Sequence, residues 1–289
     1  MRSSATIQGR RVLITGAGAG IGKRLALDFA GHRPRRLILL DRDAEALERL
    51  TQEPALRECG VTVEFFTCDI GSKSEIETFV GQLGSSPLDL LINNAGVNYS
   101  GPFSSMRLED FENVLAINLL GAVRLTHALL PRLLEGSDPS IVNVASLAGL
   151  VAGPGMCAYS TSKFALVGFS EALRKELRGK VHVCTICPGL VRTDIARNTL
   201  FNAKGDDGGD GVERSSQTDR MDEILKKFGA TPEKISKIVM ESVAGKKSLV
   251  LINAESYFAY YLKMLFPALS DSVWNLGYQK LINMGVFKR

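Results

Sequence analysis

A tyrosine and a lysine lie four positions apart in the segment AYSTSKFAL, Ala158 to Leu166. In a helix, Tyr159 and Lys163 would meet side by side, because residues at i and i+4 are neighbours on the helix surface. Such a pair suits acid–base chemistry, since a nearby ammonium favours the phenolate form and lowers the pKa of the tyrosine. The same spacing also fits two amphipathic residues on an ordinary helix face, so other parts of the chain must distinguish the two interpretations.

A glycine-rich stretch, TGAGAGIG from Thr15 to Gly22, follows the first apolar run. Glycines between a strand and a helix let the backbone approach a pyrophosphate, which then meets the N–H groups and the positive end of the helix dipole. The spacing is G-x-x-x-G-x-G and not G-x-G-x-x-G, because Ile21 and Lys23 occupy the positions where the last glycine would fall. The context of strand, loop and amphipathic helix predicts a dinucleotide site.

An acidic residue, Asp41, ends the second predicted strand, 25 residues after Gly16. At this place a carboxylate accepts hydrogen bonds from the adenosine ribose and repels a 2′-phosphate, which favours NAD over NADP. Arg42 follows, and it either stacks on the adenine or accepts a 2′-phosphate. Asp43 directly precedes the helical segment AEALERL, so it is the better candidate for a helix cap.

Short β-branched or leucine-rich runs alternate with helical patterns along the chain, which predicts an α/β fold with a doubly wound parallel sheet covered on both faces. The predicted strands are Val12 to Thr15, Leu37 to Leu40, Val61 to Cys68, Leu88 to Asn93, Ile141 to Ala145, Val181 to Cys187 and Ser248 to Ile252. The predicted helices are Ile21 to Ala30, Ala44 to Leu50, Lys73 to Leu83, Leu108 to Leu134, Ala158 to Leu177 and Pro232 to Val243.

The composition is that of a folded protein, with 289 residues of which 45% are apolar and 23% charged. The net charge of +4 comes from thinly spread basic residues, so a nucleic-acid partner is not expected. No metal site, signal peptide or transmembrane run is predicted. Five cysteines without a framework spacing favour reduced thiols and a cytoplasmic setting, and Cys184 and Cys187 are expected to pack on opposite faces of a strand.

Taken together, the motifs resemble those of the short-chain dehydrogenase/reductase family. They occur in the family's order between Arg11 and Thr193, about two thirds of the chain. They are TGAGAGIG, CDI at Cys68 to Ile70, NNAG at Asn93 to Gly96, Asn118 in LAINLLG, Ser146 in VNVASLAG, YSTSK at Tyr159 to Lys163, and PGLVRT at Pro188 to Thr193.

The resemblance implies a Rossmann fold, a nicotinamide cofactor, a small-molecule substrate and a homodimer or homotetramer. The implied catalytic set consists of Ser146, Tyr159, Lys163 and Asn118, with Asn118 holding a water in a proton relay. The implied cofactor-binding residues are Gly16, Gly18, Ala19, Gly20, Ile21, Gly22, Asp41, Arg42, Asp69, Ile70, Asn94, Ala95, Gly96, Tyr159, Lys163, Pro188, Gly189 and Thr193. Local structural roles remain as alternatives: a turn for Asn94, a strand-end cap for Ser146 and a helix interruption for Asn118.

Two regions outside these motifs bear on the substrate. The segment LAGLVAGPGMCA between Ser146 and Tyr159 carries no charge, and by resemblance it borders the substrate, which suggests a lipophilic alcohol or ketone. Asn202 to Arg220, rich in glycine and acids, is expected to be a mobile stretch, either a surface insertion or part of a lid at about 200–220.

The C-terminal extension, residues 254–289, follows an expected catalytic domain of residues 1–253. Its aromatic residues and excess of lysine suit amphipathic helices broken at Pro267. Three interpretations stay open: packing over the active-site mouth or onto a partner subunit, peripheral membrane contact, and disorder.

The expected function is therefore an NAD-dependent oxidoreductase that interconverts a secondary alcohol and a ketone. An epimerase or dehydratase on the same fold, or a dinucleotide sensor without turnover, are the alternatives.

Overall fold

The chain forms a seven-stranded parallel sheet with helices on both faces in a computed structural model that describes residues 7–192, 200–201, 223 and 225–283. The seven strands are β1 (Arg11–Thr15), β2 (Arg36–Asp41), β3 (Thr62–Thr67), β4 (Leu90–Asn93), β6 (Ser140–Val144), β7 (His182–Cys187) and β9 (Leu249–Leu251). Their order in the sheet is β3-β2-β1-β4-β6-β7-β9, and all six pairings are parallel. A separate short pair joins β5 (Tyr99–Ser100) to β8 (Leu200–Phe201).

Helices fill the connections between the strands, as parallel crossovers require. They are α1 (Gly20–Gly31), α2 (Ala44–Thr51), α3 (Pro54–Arg57), α4 (Lys73–Gln82), α5 (Leu108–Leu115), α6 (Ala122–Leu134), α7 (Cys157–Glu176), α8 (Pro232–Ala244), α9 (Ala254–Leu265) and α10 (Pro267–Asn283). A π-helical segment, Ala116–Gly121, joins α5 to α6, and a 3-10 turn, Leu147–Gly149, follows β6.

The strands are apolar throughout because both faces of the sheet are covered. Alternate residues of one strand enter different cores: Val12 and Ile14 pack with α1 and α8, whereas Leu13 packs with helices on the other face. The same alternation separates the two cysteines of the C-x-x-C sequence, since Cys184 and Cys187 are buried in different clusters. The expectation that they pack in the core is confirmed.

The chain reverses its direction across the sheet between β1 and β4. It runs outward through β2 and β3, and then returns to the other side of β1 to add β4, β6, β7 and β9. The crevice outside the carboxyl ends of strands at such a switch point is where ligands bind in open α/β sheets. The predicted α/β class, and all seven predicted strands and six predicted helices, are confirmed to within a few residues.

The helical run Leu108–Leu134 has a mean hydropathy of 1.5, and by length and composition alone it is the one described helix apolar enough to cross a membrane. In this fold it is a cover helix of the sheet. Val114, Leu125 and Leu129 are fully buried in one of the two main core clusters. The apolar composition of the run is thus explained by burial in the core.

The C-terminal extension contributes α9 and α10, which form a helical hairpin with its turn at Phe266 and Pro267. Three earlier expectations fall on residues outside the described part of the chain: the cofactor contact of Thr193, the segment Asn202 to Arg220, and the terminal Lys288 and Arg289.

Candidate active site

The glycine loop between β1 and α1 is shaped by positions that tolerate no side chain. Gly16 and Gly20 have φ angles of 67° and 52°, which favour glycine. A Cβ atom on Gly22 would lie 1.8 Å from the Gly16 carbonyl oxygen. The loop therefore closes tightly on the first turn of α1. Ala19 is exposed, and Gly18 and Ile21 are partly exposed beside it.

The start of α1 offers free N–H donors. Ala19 occupies the N-cap position and provides no side-chain cap, and the first turn carries no acidic residue. The first N–H groups of a helix have no intrahelical partner, and the helix dipole makes this end positive. These features fit the phosphates of a dinucleotide.

The predicted cofactor-groove residues Asn94 and Ala95 brace this loop from the neighbouring strand. Asn94 donates through Nδ2 to the Thr15 carbonyl oxygen at 2.9 Å and to the Gly16 carbonyl oxygen at 3.2 Å. The Thr15 hydroxyl accepts hydrogen bonds from the backbone N–H groups of Asn94 and Ala95, each at 3.0 Å. The turn-stabilising role considered for Asn94 is thus observed.

Asp41 lies against the glycine loop at the end of β2. Its Oδ2 accepts a hydrogen bond from the Gly18 N–H at 2.8 Å, and its Oδ1 accepts one from the Asp43 N–H at 3.0 Å. The cap of α2 belongs to Asp43, whose Oδ1 accepts from the Ala46 N–H at 2.9 Å, as the sequence predicted. Arg42 is exposed beside them.

The next predicted cofactor residues, Asp69 and Ile70, form a turn after β3. Asp69 accepts a hydrogen bond from the Gly71 N–H at 2.8 Å, and its own N–H donates to Glu75 at 2.8 Å. Ile70 is buried in the core. Both residues therefore have a structural function in this turn, whether or not they also flank an adenine.

Tyr159 and Lys163 share one face of α7, as their spacing predicted. The Lys163 Nζ lies 5.7 Å from the centroid of the Tyr159 ring and donates a hydrogen bond to the Val144 carbonyl oxygen at 3.0 Å. Both side chains are buried. The two residues thus meet at the end of β6 and not on a solvent-exposed helix face.

Burial dominates the electrostatics of this pair. Burial raises the pKa of Tyr159 above its usual value, although its hydrogen bond with the Ser146 hydroxyl opposes the shift. Burial also lowers the pKa of Lys163 to about 8. The prediction that Lys163 lowers the tyrosine pKa is therefore wrong for the chain alone, because loss of water disfavours the phenolate and the ammonium alike.

Ser146 and Pro188 come from the ends of adjacent strands. Ser146 follows β6, and its hydroxyl accepts a hydrogen bond from the Ala148 N–H at 3.1 Å, so the strand-end cap considered for it exists alongside its contact with Tyr159. Pro188 follows β7, and its carbonyl oxygen accepts from the Leu147 N–H at 2.7 Å. Gly189 lies against α9, where an added Cβ would be 2.8 Å from the Ser256 hydroxyl oxygen.

Asn118 is buried in the π-helical segment and is fully hydrogen-bonded. Its Oδ1 accepts from the Val97 N–H at 2.8 Å, and its Nδ2 donates to the Val97 carbonyl oxygen at 2.9 Å and to the Ser162 hydroxyl at 3.0 Å. A Cβ atom on Gly96 would lie 3.1 Å from Asn118 Oδ1 and 3.4 Å from Lys163 Nζ. Asn118 therefore connects the chain just after NNAG to α7. The absence of a side chain at Gly96 lets Asn118 and Lys163 lie close to its backbone.

A buried polar chain behind the site was missed by the sequence analysis. Asn93 donates through Nδ2 to Thr126 at 3.0 Å and to Asn143 Oδ1 at 2.8 Å, and Asn143 donates to Ser170 at 2.8 Å. Asparagines within the otherwise apolar strands LLIN and SIVNV were the available signal. The chain links β4 and β6 to the helices α6 and α7 on one face of the sheet.

Among the described residues, no group of three or more histidine, cysteine, aspartate or glutamate side chains is arranged to hold a metal ion. All five cysteines are free thiols. Burial raises the pKa of Cys184 and of Cys187 to about 12, so both remain neutral core residues near neutral pH.

Known proteins are similar to this chain in sequence and in fold. The family model described as short chain dehydrogenase matches residues 10–203. SadH of Mycobacterium tuberculosis is 30% identical over 98% of both chains. A short chain dehydrogenase/reductase from Burkholderia phymatum, solved in complex with NAD, aligns with a TM-score of 0.80 at 25% identity and covers 91% of this chain and 96% of its own.

A more distant solved structure shares the fold: an alcohol dehydrogenase from Thermococcus sibiricus complexed with 5-hydroxy-NADP aligns with a TM-score of 0.69 at 22% identity, over 84% of this chain and 95% of its own. Both forms of the nicotinamide cofactor therefore occur among the structural neighbours. The family model spans well over half of the chain and SadH matches nearly all of it, so the protein belongs to the short-chain dehydrogenase/reductase family of NAD(P)-dependent oxidoreductases.

Proposed function

We propose that the protein interconverts a secondary alcohol and a ketone, with Tyr159 as the general acid and base. The observation that supports this most directly is the set of groups around the Tyr159 ring. The Ser146 hydroxyl interacts with it, and Lys163 Nζ lies 5.7 Å from its centroid in a buried site at the carboxyl ends of β6 and β7.

Tyr159 and Ser146 have different roles in the proposed reaction. Tyr159 donates its proton to the ketone oxygen during reduction and removes the hydroxyl proton during oxidation, while the nicotinamide supplies or accepts the hydride. Ser146 donates a hydrogen bond to the same substrate oxygen. Burial keeps Tyr159 in its phenol form near neutral pH, which is the form that delivers a proton to a ketone.

Lys163 and Asn118 support Tyr159 from behind. The ammonium of Lys163 is fixed by the Val144 carbonyl oxygen. In this proposal it would also hold the nicotinamide ribose. Asn118 fixes the NNAG segment through Val97 and contacts Ser162, beside Lys163. In this proposal a water held near Asn118 returns protons from solvent to Lys163.

NAD is the proposed cofactor because of Asp41. Its carboxylate lies against the glycine loop and accepts a hydrogen bond from the Gly18 N–H. There it would accept hydrogen bonds from the adenosine ribose hydroxyls and repel a 2′-phosphate. The remaining cofactor contacts are proposed for the glycine loop, Asn94 to Gly96, Asp69 and Ile70, and the segment from Pro188 to Thr193.

The proposed substrate is lipophilic. The loop between Ser146 and Tyr159 is apolar, and Leu150 and Val151 are buried with Tyr260 and Trp274 of the extension packed against the same cluster. An apolar wall of this kind favours an aliphatic or aromatic ketone over a sugar or an acid. We also propose a homodimer or homotetramer in the cytoplasm.

Turnover of Tyr159→Phe tests the function. Wild-type protein is first assayed with a panel of ketones and alcohols and with both NAD and NADP. The variant should then lose about 100- to 10 000-fold of kcat on the best substrate, because general acid–base catalysis is worth that much, while NAD binding measured by calorimetry is retained. Tyr99→Phe, at a second buried tyrosine, is the matched control and should keep its activity. Near wild-type turnover by Tyr159→Phe would sink the assignment.

A further inference from the structure

The hairpin of α9 and α10 exposes many large apolar side chains, although some of its polar side chains are fully buried. Its inward positions include Ser256, which is 0% exposed, and Ser270, which is 1% exposed. Its outward positions include Phe258, 67% exposed, and Leu276, 72% exposed. A surface helix of a soluble domain normally shows the opposite arrangement.

The exposed apolar residues are concentrated in this hairpin. Of the 17 exposed large hydrophobic residues in the described part of the chain, nine fall within residues 257–276 and the other eight are spread over the rest. Single exposed hydrophobic residues need no explanation, but a contiguous patch marks an interaction surface. The nine are Tyr257, Phe258, Tyr261, Met264, Leu265, Phe266, Leu269, Val273 and Leu276.

The turn of the hairpin is its most apolar part. Residues 264–269, with the sequence MLFPAL, are all exposed and carry no polar side chain. We call these six residues the apolar tip. Tyr261 and Tyr257 lie about one and about two helical turns before the tip, and tyrosine prefers the boundary between a bilayer and water.

The inner side of the hairpin is anchored to the body of the protein beside the candidate substrate loop. Lys263 donates a hydrogen bond to the Leu150 carbonyl oxygen at 2.6 Å, and its Nζ lies 4.5 Å from the centroid of the Phe164 ring. Trp274 packs beside Gly153, where an added Cβ would be 3.9 Å from the indole ring. These contacts give the tip a defined direction relative to the site.

We propose that the apolar tip inserts into the surface of an anionic phospholipid membrane. Besides the inward-facing Lys263, the sequence of the extension carries Lys280, Lys288 and Arg289 against Glu255 and Asp271. Its net charge is therefore positive, so anionic lipid attracts it, whereas a second copy of the same segment would repel it. Apolar insertion together with basic residues supplies the two contributions that stable peripheral binding requires.

The consequence for the enzyme, which rests on the proposed function, is a route for its substrate. Lys263 and Trp274 connect the membrane-facing hairpin to the loop that borders the substrate. A lipophilic alcohol or ketone dissolved in the bilayer then reaches the site without crossing water.

Flotation of the full chain with vesicles tests the proposal. Wild-type protein should float with vesicles of phosphatidylcholine containing phosphatidylserine, and less with phosphatidylcholine alone or at high salt. The triple variant Leu265→Ser, Phe266→Ser, Leu269→Ser should lose at least about tenfold of this partitioning, because burial of large apolar side chains in lipid favours binding. The matched control, Phe103→Ser, Leu108→Ser, Leu134→Ser, changes three comparably exposed residues elsewhere and should partition like wild type.

Two further measurements separate the possible outcomes. Equal flotation of wild type and the tip variant overturns the proposal, and so does a tip variant that changes only the oligomeric state in analytical ultracentrifugation, since the tip would then be a protein interface. Turnover of a water-soluble ketone should be unchanged in the tip variant. If wild type binds vesicles but shows no turnover, the proposed function is rejected and the proposed membrane binding is retained. If wild type shows turnover but does not bind vesicles, the proposed membrane binding is rejected and the proposed function is retained.

Discussion

The helix α7, which carries the proposed catalytic residues Tyr159 and Lys163, and the C-terminal hairpin both depart from the usual distribution of polar and apolar residues, but in opposite directions. α7 buries Tyr159, Ser162 and Lys163, whereas the hairpin exposes Phe258, Leu265 and Leu276. The polar groups of α7 find partners within the chain: Ser162 donates to the Tyr159 carbonyl oxygen at 2.7 Å, and Lys163 donates to Val144. The apolar groups of the hairpin contact no described part of the protein on their outer side.

The difference shows that burial follows from partners and not from residue type alone. A polar group is stable in the interior when its hydrogen bonds are made, and costly when they are lost. An apolar surface is costly in water and favourable once another apolar phase covers it. The polar groups of α7 are therefore stabilised by contacts within the fold, whereas the apolar surface of the hairpin would be stabilised only when another apolar phase covers it.

The largest expected effect is on stability at Asn118. The substitution Asn118→Leu removes the side-chain hydrogen bonds and leaves the Val97 N–H and carbonyl groups unpaired in the interior. The free energy of unfolding should therefore fall by about 3–5 kcal/mol. Urea unfolding measures this change. The reverse exchange, Leu276→Asn on the hairpin, should change the stability by less than about 0.5 kcal/mol. A comparable loss in both variants would mean that the hairpin is packed as tightly as the site.

The next effect concerns the pH dependence of stability at Lys163. Burial lowers its pKa from 10.5 to about 8, so between these pH values the unfolded chain binds more protons than the folded one, and stability contributed by this residue rises with pH. The free energy of unfolding of wild type relative to Lys163→Met should therefore increase by about 2 kcal/mol from pH 8 to about pH 10, and stay constant below that range.

Lys175→Met provides the control for this titration, because Lys175 is exposed on the same helix and pairs with Glu171. The difference between wild type and this variant should show no comparable rise. A flat difference for Lys163→Met would mean that the ammonium is well solvated or paired, and that burial does not control its pKa.

The smallest effect is expected where the two regions meet. Lys263→Met removes the hydrogen bond to Leu150 and the contact with the Phe164 ring, and this should loosen the hairpin by about 1 kcal/mol. Amide hydrogen exchange in α9 should become about fivefold faster, with α7 unchanged. Lys237→Met, at an exposed lysine of α8, should leave exchange in α9 as in wild type. Unaltered exchange in Lys263→Met would show that Trp274 and Tyr260 hold the hairpin by themselves.

Much of the site could be predicted because its signals are local. The glycine loop, Asp43 as the cap of α2, and the side-by-side placement of Tyr159 and Lys163 depend on residues close together in sequence. The hydrogen-bond partner of Asn118 could not be predicted from the sequence. A polar residue within an apolar segment indicated a hydrogen-bond network, but Val97 lies 21 positions away. The chain of Asn93 and Asn143 depends on the register of β4 against β6, which brings residues 50 positions apart into contact.

The sequence by itself determined the order of strands and helices, the glycine loop, and the side-by-side placement of Tyr159 and Lys163, since periodicity, glycine positions and helical spacing act over a few residues. The tertiary structure decided the properties that depend on the surroundings of a group. It raised the pKa of Tyr159, where the adjacent lysine alone would have lowered it, because burial removes the water that stabilises charge. It also turned Ser256 and Ser270 of the hairpin inward and left its apolar tip exposed, because only packing against the loop between Ser146 and Tyr159 determines which helix face meets the protein.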